Sequence, residues 1–141
     1  MEDNVAVARR FVEEAFAKNN PALLDELLSE DFIEHHRAIT GNKAGVVMAM
    51  QVIHTASPDV EYTFINSISQ VDFVCLQYRS AGTQTGPIGS FPPSGKRYDI
   101  DVVDVFRIKD SKISEHWSLP DRMAMMEDLG FWPPKQASVQ A

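Results

Sequence analysis

The sequence is poor in cysteine and in clustered positive charge. Cys75 is the one cysteine among 141 residues, so no internal disulfide can form, and its apolar neighbours at positions 73–76 predict a small core residue. The chain has thirteen Lys and Arg residues and twenty Asp and Glu residues, which gives a net charge of −7. The basic residues are scattered along the chain, which argues against a binding surface for nucleic acid or an anionic membrane.

The sequence also lacks the marks of secretion, membrane insertion and cofactor binding. Residues 1–10 have neither the basic start nor the apolar core of a signal peptide, and no apolar run approaches the length of a membrane span. The histidines do not follow the HxH or HxxxH spacing of metal ligands, and no phosphate-binding glycine loop opens a helix. We therefore expect a cytoplasmic protein that needs no metal or organic cofactor.

Helical patterns fill the first part of the chain. Apolar residues recur at helical spacing over residues 5–16. Asn20 and Pro21 suit the start of a second, short helix, which is predicted to end near Ser29. A short extended segment follows at residues 31–36, and a third helix spans residues 42–56.

The pattern then changes to the two-residue period of strands. Four strands are predicted, at residues 60–68, 73–85, 98–108 and 112–119. The loop at residues 86–95 is rich in glycine and proline, and a short helix after Pro120 ends near Leu129. This order predicts one α+β domain at residues 1–134, with helices packed on a curved antiparallel sheet, and a flexible tail at residues 135–141.

The last two predicted strands form a hairpin that carries the candidate catalytic residues. A two-residue turn at Asp110 and Ser111 pairs Asp104 with Trp117, so these two side chains share a face and His116 points the other way. A single bulge in either strand reverses this facing and brings His116 to the face of the acids.

Several stretches together resemble the SnoaL-like polyketide cyclases of the nuclear transport factor 2-like superfamily. They are FIEH at residues 32–35, GTQTGPIGSFPPSGK at residues 82–96, FRIKDSKISEHWSLPD at residues 106–121 and DLG at residues 128–130. The resemblance implies a cone-shaped α+β fold, usually dimeric, that encloses a pocket open at one end. In these cyclases an aspartate is the general base for an intramolecular aldol ring closure, without metal or organic cofactor.

The resemblance assigns the base to Asp121, whereas its position before a helix also explains it as an N-cap. We expect apolar surroundings that make this carboxylate hard to ionise. Asp104, among apolar strand residues, has either a structural partner or a role as a second acid facing Asp121. His116 is the third catalytic candidate. Substrate-binding candidates are His35, Tyr78, Gln84, Trp117 and Phe131, and Gln84 stands where the family commonly has histidine.

These residues predict proton removal next to a carbonyl of a small, largely apolar, oxygenated substrate. The resemblance implies that aldol-type ring closure follows. An isomerase or an epoxide-opening enzyme would use similar acids, and a non-catalytic ligand-binding module is a further alternative. The segment at residues 101–108 is apolar on both faces, so we also expect a homodimer that covers the sheet.

Overall fold

An amphipathic helix at the N-terminus packs on the sheet. The computed structural model describes residues 3–39 and 41–134, so the predicted tail at residues 135–141 lies outside the described residues. Helix α1, Asn4–Arg10, is capped by Asp3, whose side chain accepts from the backbone N–H of Ala6. The helix continues as a π-helical segment, Phe11–Phe16. The predicted apolar stripe is the buried side of this unit.

Two further helices flank the first strand. A 3-10 turn, Pro21–Leu23, leads into α2, Leu24–Leu27. This helix ends earlier than predicted, because Leu28 is extended and begins strand β1, Leu28–Glu34. Helix α3, Lys43–Ala56, is capped by Asn42.

The sheet has five strands in the order β1-β5-β4-β3-β2. The other strands are β2, Glu61–Gln70; β3, Phe73–Thr83; β4, Arg97–Lys109; and β5, Lys112–Pro120. The pairs β2–β3, β3–β4 and β4–β5 are antiparallel. The β1–β5 pair is parallel and adds one parallel edge strand to the predicted curved antiparallel sheet. Helix α4, Arg122–Asp128, follows β5.

The two faces of the curved sheet have different surroundings. Along β4, Val102, Asp104 and Phe106 are buried on the inner face, which the helices cover. Val103 and Val105 alternate with them on the opposite, outer face and are partly exposed. None of the helices formed by the described residues combines the length and hydrophobicity needed to cross a membrane.

Candidate active site

One extra residue in β5 determines which side chains meet inside the fold. The turn is as predicted: Asp110 and Ser111 both have positive φ, and Ile108 pairs with Ile113. The register then shifts by one residue, so that Asp104 pairs with Ser118. This irregularity is the bulge that the sequence left open, and it turns His116 to the inner face.

The inner face therefore holds a buried polar cluster of Glu34, Tyr78, Asp104 and His116. Nδ1 of His116 lies 2.6 Å from Oε1 of Glu34, and Nε2 lies 3.3 Å from Oδ2 of Asp104. The hydroxyl of Tyr78 donates to the same Asp104 oxygen at 2.8 Å. Each of the four residues is at most 5% exposed. Three strands, β1, β4 and β5, supply the ionisable groups, and β3 supplies the phenol.

The cluster holds His116 in its protonated form. Burial lowers the pKa of His116, but the charges and hydrogen bonds of Asp104 and Glu34 outweigh it and raise the pKa to about 9. Burial, followed by the charge of Asp104, raises the pKa of Tyr78 well above its usual value. At neutral pH the phenol therefore donates a hydrogen bond to Asp104, and the imidazolium lies beside the same carboxylate as its ion-pair partner.

One oxygen of Asp104 has no hydrogen-bond partner in the part of the chain that the structure describes. Oδ2 takes both contacts, from Tyr78 and His116, whereas Oδ1 is buried and accepts no hydrogen bond from the described residues. A desolvated carboxylate oxygen without a donor is costly in a folded protein. Such an oxygen is also the atom that a general base uses to take a proton.

Glu34 is the member of this cluster that the sequence prediction missed. Its strand alternates, with Phe32 and Glu34 buried and Ile33 47% exposed. Glu34 is two residues after Phe32, so both side chains point to the same face of the strand. Because phenylalanine is commonly a core residue, this spacing could have predicted that Glu34 is buried. No local pattern, however, shows that this strand pairs with β5.

Two predicted pocket residues lie on the outer face. Trp117 pairs with Val105, and His35 stacks on it with ring centroids 4.4 Å apart. Glu115 contacts both His35, at 3.1 Å, and Arg107, at 3.2 Å. The prediction that Trp117 shares a face with Asp104 is therefore wrong, because the β5 bulge exchanges the faces of His116 and Trp117. The substrate-binding roles of His35 and Trp117 stay predictions.

Asp121 lies at the exposed end of β5. Its side chain accepts from the backbone N–H of Ala124 at 3.0 Å, which makes it the N-cap of α4. Leu119 and Trp132 are 66% and 46% exposed. Asp121 is itself exposed, so its carboxylate does not lie in the enclosed apolar setting that was expected for it.

The remaining two candidates contact the loop at residues 86–95. Gln84 is fully buried; its amide donates to the carbonyl of Pro92 and its oxygen accepts from the N–H of Ser94. Phe131 is half-buried, with its ring 4.9 Å from that of Phe91. Gln84 thus holds the loop, and both polar atoms of its side chain already have partners.

Two surface clefts lie away from the cluster. One, of about 370 Å³, lies beside α2, β1 and the start of α3, and the other, of about 570 Å³, lies beside the turns near Asp72 and Asp110. Neither is lined by Glu34, Asp104 or His116. Within residues 3–39 and 41–134, no group of three or more His, Cys, Asp or Glu side chains is arranged to hold a metal ion.

Comparison of the sequence with known proteins identifies one protein family. Residues 6–129 match the sequence model of the SnoaL-like polyketide cyclases. Aklanonic acid methyl ester cyclase DauD of Streptomyces sp. (strain C5) is 24% identical over 112 residues, which cover 79% of this chain and 70% of DauD.

Solved structures show the same fold. TsrD of Streptomyces laurentii superposes with a TM-score of 0.80 at 24% identity, covering 92% of this chain and 99% of TsrD. A SnoaL-like protein of Jannaschia sp. CCS1 gives a TM-score of 0.81 at 21% identity, with 95% and 99% of the two chains covered.

Proposed function

Because the chain belongs to the SnoaL-like polyketide cyclase family, we propose that it catalyses ring closure of a small oxygenated substrate without a metal or organic cofactor. The named activity of DauD, a methyl ester cyclase, supports a cyclase-type role. The proposed reaction removes a proton next to one carbonyl, and the resulting enolate attacks a second carbonyl of the same molecule.

The unpartnered Oδ1 of Asp104 is the observation that carries the mechanism. Tyr78 and His116 hold the other oxygen, so the carboxylate is fixed in position and Oδ1 is free to act. In the first step the substrate C–H bond breaks, its proton goes to Oδ1, and the electron pair forms the enolate. After the new C–C bond forms, the alkoxide takes the same proton back from Asp104.

His116 acts in this mechanism as a fixed cation. With a pKa of about 9 it already carries its proton at neutral pH and is a poor base. Glu34, at 2.6 Å from Nδ1, orients the ring and neutralises its charge. The imidazolium lies against Oδ2 of Asp104, which leaves Oδ1 as the oxygen that can receive the substrate proton.

A substrate must enter the interior to reach this base. Asp104 is 2% exposed, so side chains around it have to move. Among inner-face residues, Tyr62, Phe64 and Ser118 are partly exposed. These positions mark where a ligand first meets the interior.

Asp121 is the competing base, because the family resemblance assigns the base to this position and its carboxylate is exposed. The two assignments are separated by Asp104→Asn and Asp121→Asn, both close in size to the parent residue. The assay offers methyl esters of linear and polycyclic polyketides, including aklanonic acid methyl ester, and follows ring closure by mass spectrometry. Solvent deuterium uptake at the acidic carbon is followed in parallel, since an isomerase would exchange this proton without forming a ring.

We also propose a homodimer formed through the outer face. Ile68, Cys75, Val105 and Trp117 form one row across four strands. Ile68 and Leu119 are 64% and 66% exposed on this face. Exposed apolar patches of this kind commonly mark protein interfaces, and a second copy would bring the same apolar row.

A further inference from the structure

The inner face carries three tyrosines, and their hydroxyls differ in what they contact. Tyr78 donates to Asp104 at 2.8 Å. Tyr98 is buried with its hydroxyl beside Ser57 and Ser80. Tyr62 is partly exposed, and its hydroxyl has no hydrogen-bond partner among residues 3–39 and 41–134.

Tyr62 lies close to the proposed base. It pairs with Ser80, so its side chain points to the inner face. Its ring meets the ring of Tyr78 edge-on, with centroids 5.5 Å apart, and Tyr78 contacts Asp104 directly. The side chain of Tyr78 therefore contacts both Tyr62 and the carboxylate of Asp104.

The phenol of Tyr62 keeps its proton at neutral pH. Burial raises its pKa above the usual value, and Tyr98 and the negative charge of Asp104 raise it further. Tyr62 thus combines an unused donor, partial access from solvent and a position beside the base. Phe64, its partly exposed neighbour on the same face, has no polar group to offer.

We propose that Tyr62 is a catalytic residue whose hydroxyl donates a hydrogen bond to the substrate carbonyl oxygen that becomes the enolate. This inference rests on the proposed function and names the group that holds the developing charge. As Asp104 Oδ1 takes the proton from carbon, negative charge moves to the carbonyl oxygen, and the bond from Tyr62 strengthens. A bound substrate would cover the partly exposed side of Tyr62, and the hydrogen bond lowers the barrier more once water is excluded from it.

The first test uses turnover, with Tyr98→Phe as the matched control. Tyr62→Phe removes a hydroxyl that has no hydrogen-bond partner among the described residues, so the melting temperature should not fall, whereas kcat should fall by about tenfold to a hundredfold. Tyr98→Phe removes a hydroxyl with structural neighbours and should lower the melting temperature while keeping kcat. Equal kcat for Tyr62→Phe and the parent on a substrate that the parent cyclises would overturn the inference.

The second test does not depend on turnover. 4-Nitrophenolate is an aromatic oxyanion that resembles an enolate, and Asp104→Asn resembles the protonated carboxyl of the enolate state. In the Asp104→Asn protein, adding Tyr62→Phe should weaken 4-nitrophenolate binding by about tenfold or more, while adding Tyr98→Phe should not. A weakened affinity supports the role of Tyr62 even if cyclisation is never observed, and an unchanged affinity overturns it even if cyclisation is confirmed.

Discussion

Oε1 of Glu34 lies 2.6 Å from Nδ1 of His116, although 82 residues separate the two in the chain. The contact joins β1 to its parallel neighbour β5 inside the core, and Asp104 approaches the other ring nitrogen at 3.3 Å. Two buried carboxylates therefore share one imidazole. This arrangement makes His116 a structural cation as well as a part of the proposed active site.

The first prediction concerns stability as a function of pH. Burial lowers the pKa of His116, but Asp104 and Glu34 outweigh it, so the folded pKa of about 9 lies above the ordinary 6.5. Protonation of His116 therefore stabilises the folded state fully below about pH 6.5, and this stabilisation is lost as the pH rises through about 9. The difference corresponds to about 3 kcal/mol.

Urea unfolding at about pH 6, 7.5 and 9.5 measures this loss. His116→Gln removes the titrating group, so its free energy of unfolding should change much less over the same range. If the parent and His116→Gln lost stability in parallel, the raised pKa would be wrong.

The second prediction compares two Glu–His pairs. Glu34→Gln should lower the pKa of the buried His116 and cost about 3 kcal/mol or more, because it removes one partner of a buried charge. Glu115→Gln changes the corresponding pair with His35, at 3.1 Å on the outer face, and should cost about 1 kcal/mol or less. NMR titration of the His116 ring and urea unfolding measure the two effects, and equal costs would contradict the difference in burial.

The third prediction concerns Gln84 and the loop at residues 86–95. Gln84→Ala leaves the N–H of Ser94 and the carbonyl of Pro92 without their side-chain partner, so it should cost about 1–3 kcal/mol. Hydrogen exchange at the Ser94 amide should accelerate. Gln77→Ala, which removes a bond to Asn66 on the exposed face, is the control and should change neither quantity much. If the Ser94 amide stayed protected from hydrogen exchange in the Gln84→Ala variant, Gln84 would not be the residue that holds the loop.

Patterns among residues close together in the sequence were sufficient to predict most of the fold. The alternation along β4 predicted the burial of Asp104, and the polar turn at Asp110 and Ser111 predicted the hairpin. The helical spacing over residues 5–16 predicted the stripe of apolar residues that is buried in the first helical unit. Each of these features depends on residues a few positions apart.

The site could be predicted only in part, because it depends on long-range pairing and on one inserted residue. No sequence pattern indicates the bulge after Ile113, yet because of it His116 faces inward and Trp117 faces outward. The role of Glu34 depends on the parallel β1–β5 pair, which no local pattern shows. The exposed setting of Asp121 depends on how α4 and residues 131–134 pack.

The fourth prediction tests the homodimer. Ile68→Asp places a charge in the apolar row of the outer face and should convert a dimer into a monomer at micromolar concentration. Val52→Asp changes a residue of α3 that is also half exposed, at 48%, and should leave the dimer intact. Light scattering after gel filtration measures the mass, and a parent protein that runs as a monomer would contradict the proposal.

The most direct test of the proposed mechanism is the pair Asp104→Asn and Asp121→Asn on one substrate that the parent cyclises. Asparagine can still cap α4, so Asp121→Asn should keep both stability and turnover. Asp104→Asn removes the unpartnered carboxylate oxygen, and kcat should fall by about two or more orders of magnitude, together with deuterium uptake at carbon. The opposite result, a folded Asp104→Asn variant with full turnover beside an inactive Asp121→Asn variant, would contradict the buried base and assign the proton transfer to Asp121.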